Sequence, residues 1–112
     1  MSEMAERANL PDRFFRELMD CCSNNKKIEK VILFGSRARG DHRIQSDIDL
    51  AFYTADMTHS EQNLIEYRIQ EIPTYLKIDV LFMDRLTKKN LIWNIEKEGV
   101  ILYEQGKALR KA

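Results

Sequence analysis

Ten residues separate a Gly-Ser pair that closes an apolar run, Gly35 and Ser36, from an Asp-Ile-Asp triplet that opens an alternating one, Asp47 to Asp49. That spacing limits the fold more than any other feature of the chain. Ile28 to Phe34 is short, apolar and rich in β-branched residues, which reads as a buried strand stopped at Gly35. In Asp47 to Tyr53 the pattern alternates, with Ile48, Leu50 and Phe52 pointing one way and Asp47, Asp49, Ala51 and Tyr53 the other. Two like charges on one face repel and resist desolvation, so a sheet would not place them there for stability alone.

Around these two strands the chain alternates helical and extended patterns without an internal repeat, which suggests an α/β or α+β domain. Leu10, Phe14, Leu18 and Cys22 recur at helical spacing, with Pro11 suited to a first turn, and predict a helix over about 11–24. Thr58 and Glu61 form a capping box ahead of a helix over about 59–71, which stops before Pro73. Ile78 to Met83 alternates again and sets Asp79 opposite Ile78, Val80 and Phe82. A helix over 87–98 buries Leu91, Ile92 and Ile95, ends at Gly99, and leads into a last strand over 100–103 and a frayed tail from Gln105. Trp93 falls off that buried face and is assigned to the edge of the core in preference to an exposed anchor. With 112 residues against about 150 per domain, one domain over 1–112 is expected, its motif-bearing core at about 28–104.

Charge excludes several functions. Lys plus Arg and Asp plus Glu each number 18, so no global field draws the chain to nucleic acid or to an anionic membrane. Apolar runs such as Val31 to Phe34 are four residues long, where a spanning helix needs about 20. Met1 to Leu10 is polar and acidic, so no secretory signal is expected, and the adjacent Cys21 and Cys22 fit a reducing cytoplasm better than a disulfide. The isolated His42 and His59 offer no zinc site.

Local chemistry is what remains. From Ser36 to Gly40 there is room for one helical turn whose N–H groups and hydroxyl could hold phosphate oxygens, with Arg37 and Arg39 adding positive charge. It is not a Walker loop, because no Gly-Lys-Ser or Gly-Lys-Thr follows. On one strand, Asp47 and Asp49 would have Cα atoms about 6.6 Å apart and could share a cation. Oxygen donors without thiolate or imidazole favour Mg²⁺ or Mn²⁺, completed by water and substrate phosphate. Asp79 joins them only if its strand lies alongside in register; a one-residue slip would bury it. Taken singly, Gly-Ser is commonly a plain turn, Asp-x-Asp a solvated edge, Asp79 a surface carboxylate, and Arg37, Arg39 and Arg43 a solvated loop.

Together, the Gly-Ser, the ten-residue gap, the Asp-Ile-Asp-Leu strand and the later Ile-Asp-Val-Leu strand resemble the polymerase-beta-like nucleotidyltransferase superfamily in its minimal (MNT) form, over about 28–104. The resemblance implies an α+β, two-layer fold with a small mixed sheet of about four strands and helices on one face. It implies that Gly35 and Ser36 bind the β- and γ-phosphates of ATP, and that Asp47 and Asp49 ligate two Mg²⁺ ions, with Asp79 completing one site. Asp79 is also the candidate to take the acceptor's proton. Similar domains act as antitoxins beside small helical HEPN proteins, transferring AMP to a tyrosine hydroxyl of the partner and silencing its ribonuclease. Larger members carry a further helical domain for which this chain has no room, so a second polypeptide, a HEPN-type protein or less readily a second copy, is expected to complete the site. The alternatives are a non-catalytic module that neutralises a partner by occlusion, and transfer to a small-molecule hydroxyl.

Overall fold

Alternation along the strands decides the layering. The computed structural model describes residues 10–106. In chain order these form α1 (Asp12–Ser23), β1 (Ile28–Phe34), α2 (Ser36–Arg39), β2 (Ile48–Thr54), α3 (His59–Gln70), β3 (Ile78–Phe82), a 3₁₀ turn (Met83–Arg85), α4 (Lys89–Glu98) and β4 (Val100–Glu104). The sheet runs β3-β2-β1-β4, with β1 antiparallel to β2 and β4 and β2 parallel to β3. A parallel pair cannot be joined by a hairpin, and α3 supplies the crossover.

One face of the sheet carries the main core. Leu33 from β1, Leu50 and Phe52 from β2, and Ile78 and Phe82 from β3 pack with Phe14 and Leu18 of α1 and with Ile65 and Ile69 of α3. Residues of the opposite register turn to the other face, where Ile32, Ala51 and Ile95 form a much smaller cluster. The expectation of helices on one face therefore holds for α1 and α3, while α4 packs on the other side through Ile95. Trp93, two positions from Ile95 and so turned away from the sheet, is 57% exposed with the Lys97 ammonium 4.4 Å above its ring. The core assignment for Trp93 is thus corrected.

The ends of the elements follow local chemistry. At the start of α3 the Glu61 N–H donates to Thr58 Oγ1 at 3.1 Å and the Thr58 N–H to Glu61 Oε1 at 2.8 Å, which is the expected capping box. Gly99 caps α4 with an ordinary φ of −70°, but a Cβ there would run into the Ile32 side chain and the Ile95 carbonyl. Space, not torsion, demands the glycine. Buried Gln62 donates to Asp84 Oδ1 at 2.9 Å and so ties α3 to the 3₁₀ turn. Gln105 is not frayed: its N–H donates to Glu29 O at 2.9 Å and its side chain to Lys26 O at 2.8 Å. The rest of the expected tail, 107–112, and the N-terminal segment 1–9 lie outside the described residues. Cys21 and Cys22 are free thiols. Among the described residues no helix is long and apolar enough to cross a membrane.

Candidate active site

Gly35 follows β1 with φ 77° and ψ −157°, a region essentially closed to residues with a Cβ. A Cβ there would also collide with the Asp49 carboxylate. Torsion and space both require glycine, and its bareness lets the serine turn lie directly against the acidic strand. The expected single helical turn is present as α2, closed by Gly40 at φ 88°, whose N–H donates to Ser36 O at 2.9 Å.

Asp49 is paired with Phe34 on the β1 side and with Asp79 on the β3 side. The register condition for Asp79 is met. Asp47 lies one residue before β2, which begins at Ile48, rather than inside the strand. Beyond the Phe34–Asp49 pair β1 has turned away at Gly35, leaving Asp47 no partner on that side. Even so, one carboxylate oxygen from each of Asp47, Asp49 and Asp79 lies within 4.8 Å of the others, all three side chains being half-buried. Neither histidine joins the group.

Crowding shows in the titration of the central member. Burial, then the hydrogen bond and charge of Asp79, then the charge of Asp47, push the Asp49 carboxyl from 3.8 up to about 6, against the opposing pull of Lys77. Lys77 Nζ is 3.9 Å from Asp79 Oδ1 and largely exposed, so it relieves little of the repulsion. A divalent cation held between the carboxylates would offset most of their charge. Three carboxylates without thiolate or imidazole are a donor set for Mg²⁺ or Mn²⁺, which keep water and phosphate oxygens as remaining ligands.

The arginines part company. Arg39 is half-exposed, with Nε 3.3 Å from Asp41 Oδ2. Arg37, expected at the phosphates, is only 4% exposed, and its Nε and one terminal nitrogen donate to the carbonyls of Ser46 at 3.1 Å and Ile44 at 2.9 Å. It is built into the loop that ends at Asp47. Beside the carboxylates is a cavity of about 560 Å³ lined by Phe34, Asp49, Lys77, Asp79 and Leu81 among others. Lys77 and Phe34 were not singled out from sequence. Period-two alternation, which sets Lys77 two residues before Asp79, was the available signal for the first.

Residues 16–108 match the family described as Polymerase beta, Nucleotidyltransferase. A Methanocaldococcus jannaschii protein, provisionally named a protein adenylyltransferase, is 38% identical over 80 residues, which span 66% of this chain and 78% of that protein. A chain in the crystal structure of a toxin-antitoxin with AMP-PNP superposes with TM-score 0.65 at 19% identity, over 82% of this chain and 74% of that one. A chain in the structure of the tri-AMPylated Shewanella oneidensis HEPN toxin in complex with MNT antitoxin superposes with TM-score 0.59 at 17% identity, over 81% and 70%. At such identities these two superpositions establish the fold.

Proposed function

The chain belongs to the polymerase beta nucleotidyltransferase family, and from that premise we propose that it is a Mg²⁺-dependent protein adenylyltransferase, moving AMP from ATP to a hydroxyl of a HEPN-type partner as the antitoxin of a cytoplasmic toxin-antitoxin pair. The observation that carries the reading is the convergence of Asp47, Asp49 and Asp79 beside the serine turn. The names of the relatives support the acceptor class: one is named for protein adenylylation, and another pairs an AMPylated HEPN toxin with an MNT antitoxin.

Gly35, Ser36 and Arg39 hold the β- and γ-phosphates at the mouth of the turn, which leaves the α-phosphorus over the carboxylates. Asp47, Asp49 and Asp79 would hold the cation, two ions when fully loaded, which would neutralise phosphate charge and lower the pKa of a nearby hydroxyl. The acceptor oxygen bonds to the α-phosphorus opposite the bridge to the β-phosphate, that bridge breaks, and pyrophosphate leaves towards the serine turn. The acceptor's proton passes to the Asp79 carboxylate. Much of the acceleration is orientation and charge placement.

Incubation with Mg²⁺, α-labelled ATP and host lysate tests this. Label is expected on one small protein and lost in Asp49→Asn; label on small molecules would redirect the acceptor class. Capture of a partner with no label transferred would instead mean neutralisation by occlusion.

A further inference from the structure

We propose that Arg37 is a positioning residue: its buried guanidinium fixes the loop that delivers Asp47, and so sets the affinity of the acidic site for a divalent cation without touching cation or nucleotide. The inference rests on the cation-dependent reading of the site given above, and it replaces the phosphate contact expected for this arginine from sequence.

Arg37 is the second residue of α2, a turn whose ends are fixed by Gly35 and Gly40 and which follows directly from β1, one of the two inner strands. Its side chain therefore starts from a turn closed at both ends. From there it reaches the Ser46 and Ile44 carbonyls, nine and seven residues on. Between Gly40 and Ile48 the chain has no helix or strand to hold it. The same loop is tightened by the Ser46 N–H donating to Arg43 O at 3.0 Å and the Arg43 N–H to Ser46 Oγ at 2.8 Å, but those bonds join one part of the loop to another. The Arg37 bonds anchor it to the serine turn.

Ser46 precedes Asp47, so a bond to the Ser46 carbonyl restrains the peptide that leads straight into Asp47. Asp49 and Asp79 are held by strand pairing; Asp47, lying before β2, is tied on its far side by the Ile48 N–H donating to Lys77 O at 2.9 Å, and on its near side the peptide from Ser46 is the one Arg37 holds. A fork of donors in one plane can meet two carbonyls at once, whereas a lysine ammonium at the same depth is a point charge on a shorter reach. A buried guanidinium is costly unless its N–H groups find acceptors, so the loop needs the arginine and the arginine needs the loop. Residues that orient a metal ligand from behind typically change metal affinity by about 10–100-fold when replaced.

The test compares the wild-type chain with Arg37→Lys and Arg37→Ala by Mn²⁺ calorimetry without nucleotide, thermal melting, and AMP-transfer kinetics. Arg37→Lys is expected to keep its fold while Mn²⁺ affinity falls about 10-fold or more. A loss in kcat of about 100-fold, with the KM for ATP nearly unchanged, is expected alongside. Millimolar guanidinium should restore part of the Mn²⁺ affinity to Arg37→Ala, whose cavity can admit it, and none to Arg37→Lys. Unchanged Mn²⁺ affinity in folded variants would overturn the proposal, and so would a rise in KM alone, the mark of a direct phosphate contact. Loss of folding in both variants would also overturn it, because the side chain would then hold the fold and not the site. A wild type that binds Mn²⁺ but transfers no AMP would overturn the transfer reading alone, since the Mn²⁺ comparison decides the role of Arg37 by itself.

Discussion

The two faces of the sheet are built from the same strands and do different things. On the α1 and α3 side, Leu33, Leu50, Phe52 and Phe82 are buried in a continuous apolar layer. On the α4 side, Ile32, Ala51 and Ile95 are the buried apolar residues, and past them the same strands present Phe34, Asp49, Asp79 and Leu81 to a cavity that runs round the β3 edge to Glu66 and Gln70 of α3. In β2 the division is made residue by residue: 48, 50 and 52 are buried in the core, and 49 between them turns its carboxylate to the acidic cluster. The lesson is that these strands can carry a crowded acidic face because their opposite face is packed into the main core.

Separate substitutions on the two faces should therefore dissociate activity from stability. Asp49→Asn on the cavity face should reduce AMP transfer by about 10³-fold or more while the metal-free chain melts no lower than wild type at neutral pH, measured by label transfer and by circular dichroism. Phe52→Ala on the packed face should do the reverse: a loss of about 3–5 kcal/mol by urea unfolding, with transfer by the remaining folded fraction unchanged. If Phe52→Ala lowered transfer per folded molecule as much as Asp49→Asn, the division of labour would be wrong.

Smaller effects sharpen the comparison. Gly35→Ala lies where the faces meet the turn, and it should cost about 1–3 kcal/mol from its backbone region alone, with a larger loss of Mn²⁺ binding because its Cβ displaces the Asp49 carboxylate. The smallest effect is in pH. The Asp49 carboxyl, ordinarily 3.8, stands at about 6 in the folded chain, so folding favours its protonated form. Its contribution to stability is full below 3.8 and fades as the pH rises through 6. Because the group is partly open to water, the metal-free melting temperature should fall by only about 3 °C across that window. Saturating Mn²⁺ or Asp49→Asn should flatten the slope.

What the sequence revealed was what neighbours along the chain decide. The alternation in β2 and β3, the Thr58–Glu61 box and the Gly35–Gly40 turn are local patterns, and the structure reproduces each within a residue or two. The convergence of the acids was legible only as a condition, because the β2–β3 register is set by a crossover and not by either strand alone. Less legible were the features that depend on distant partners. Arg37 reads as a cation for phosphate, or taken singly as a solvated one, and nothing local shows that the Ile44 and Ser46 carbonyls close over it. The side of the sheet taken by α4, and with it the exposure of Trp93, follows from how the chain returns after β3, which no spacing in the helix encodes.

Asp79 stands on the strand at the rim of the described sheet, held to β2 on one flank while its other flank is met at Ile78 O by the Gln70 side chain at 2.7 Å. Rims breathe more readily than centres, so of the two carboxylates carried on strands this one is the more easily lost by local opening. An ion shared between it and Asp49 would act as a rivet, and slower amide hydrogen exchange along β3 would register its arrival. Loading the site and quieting the border of the sheet then become one equilibrium observed from two sides.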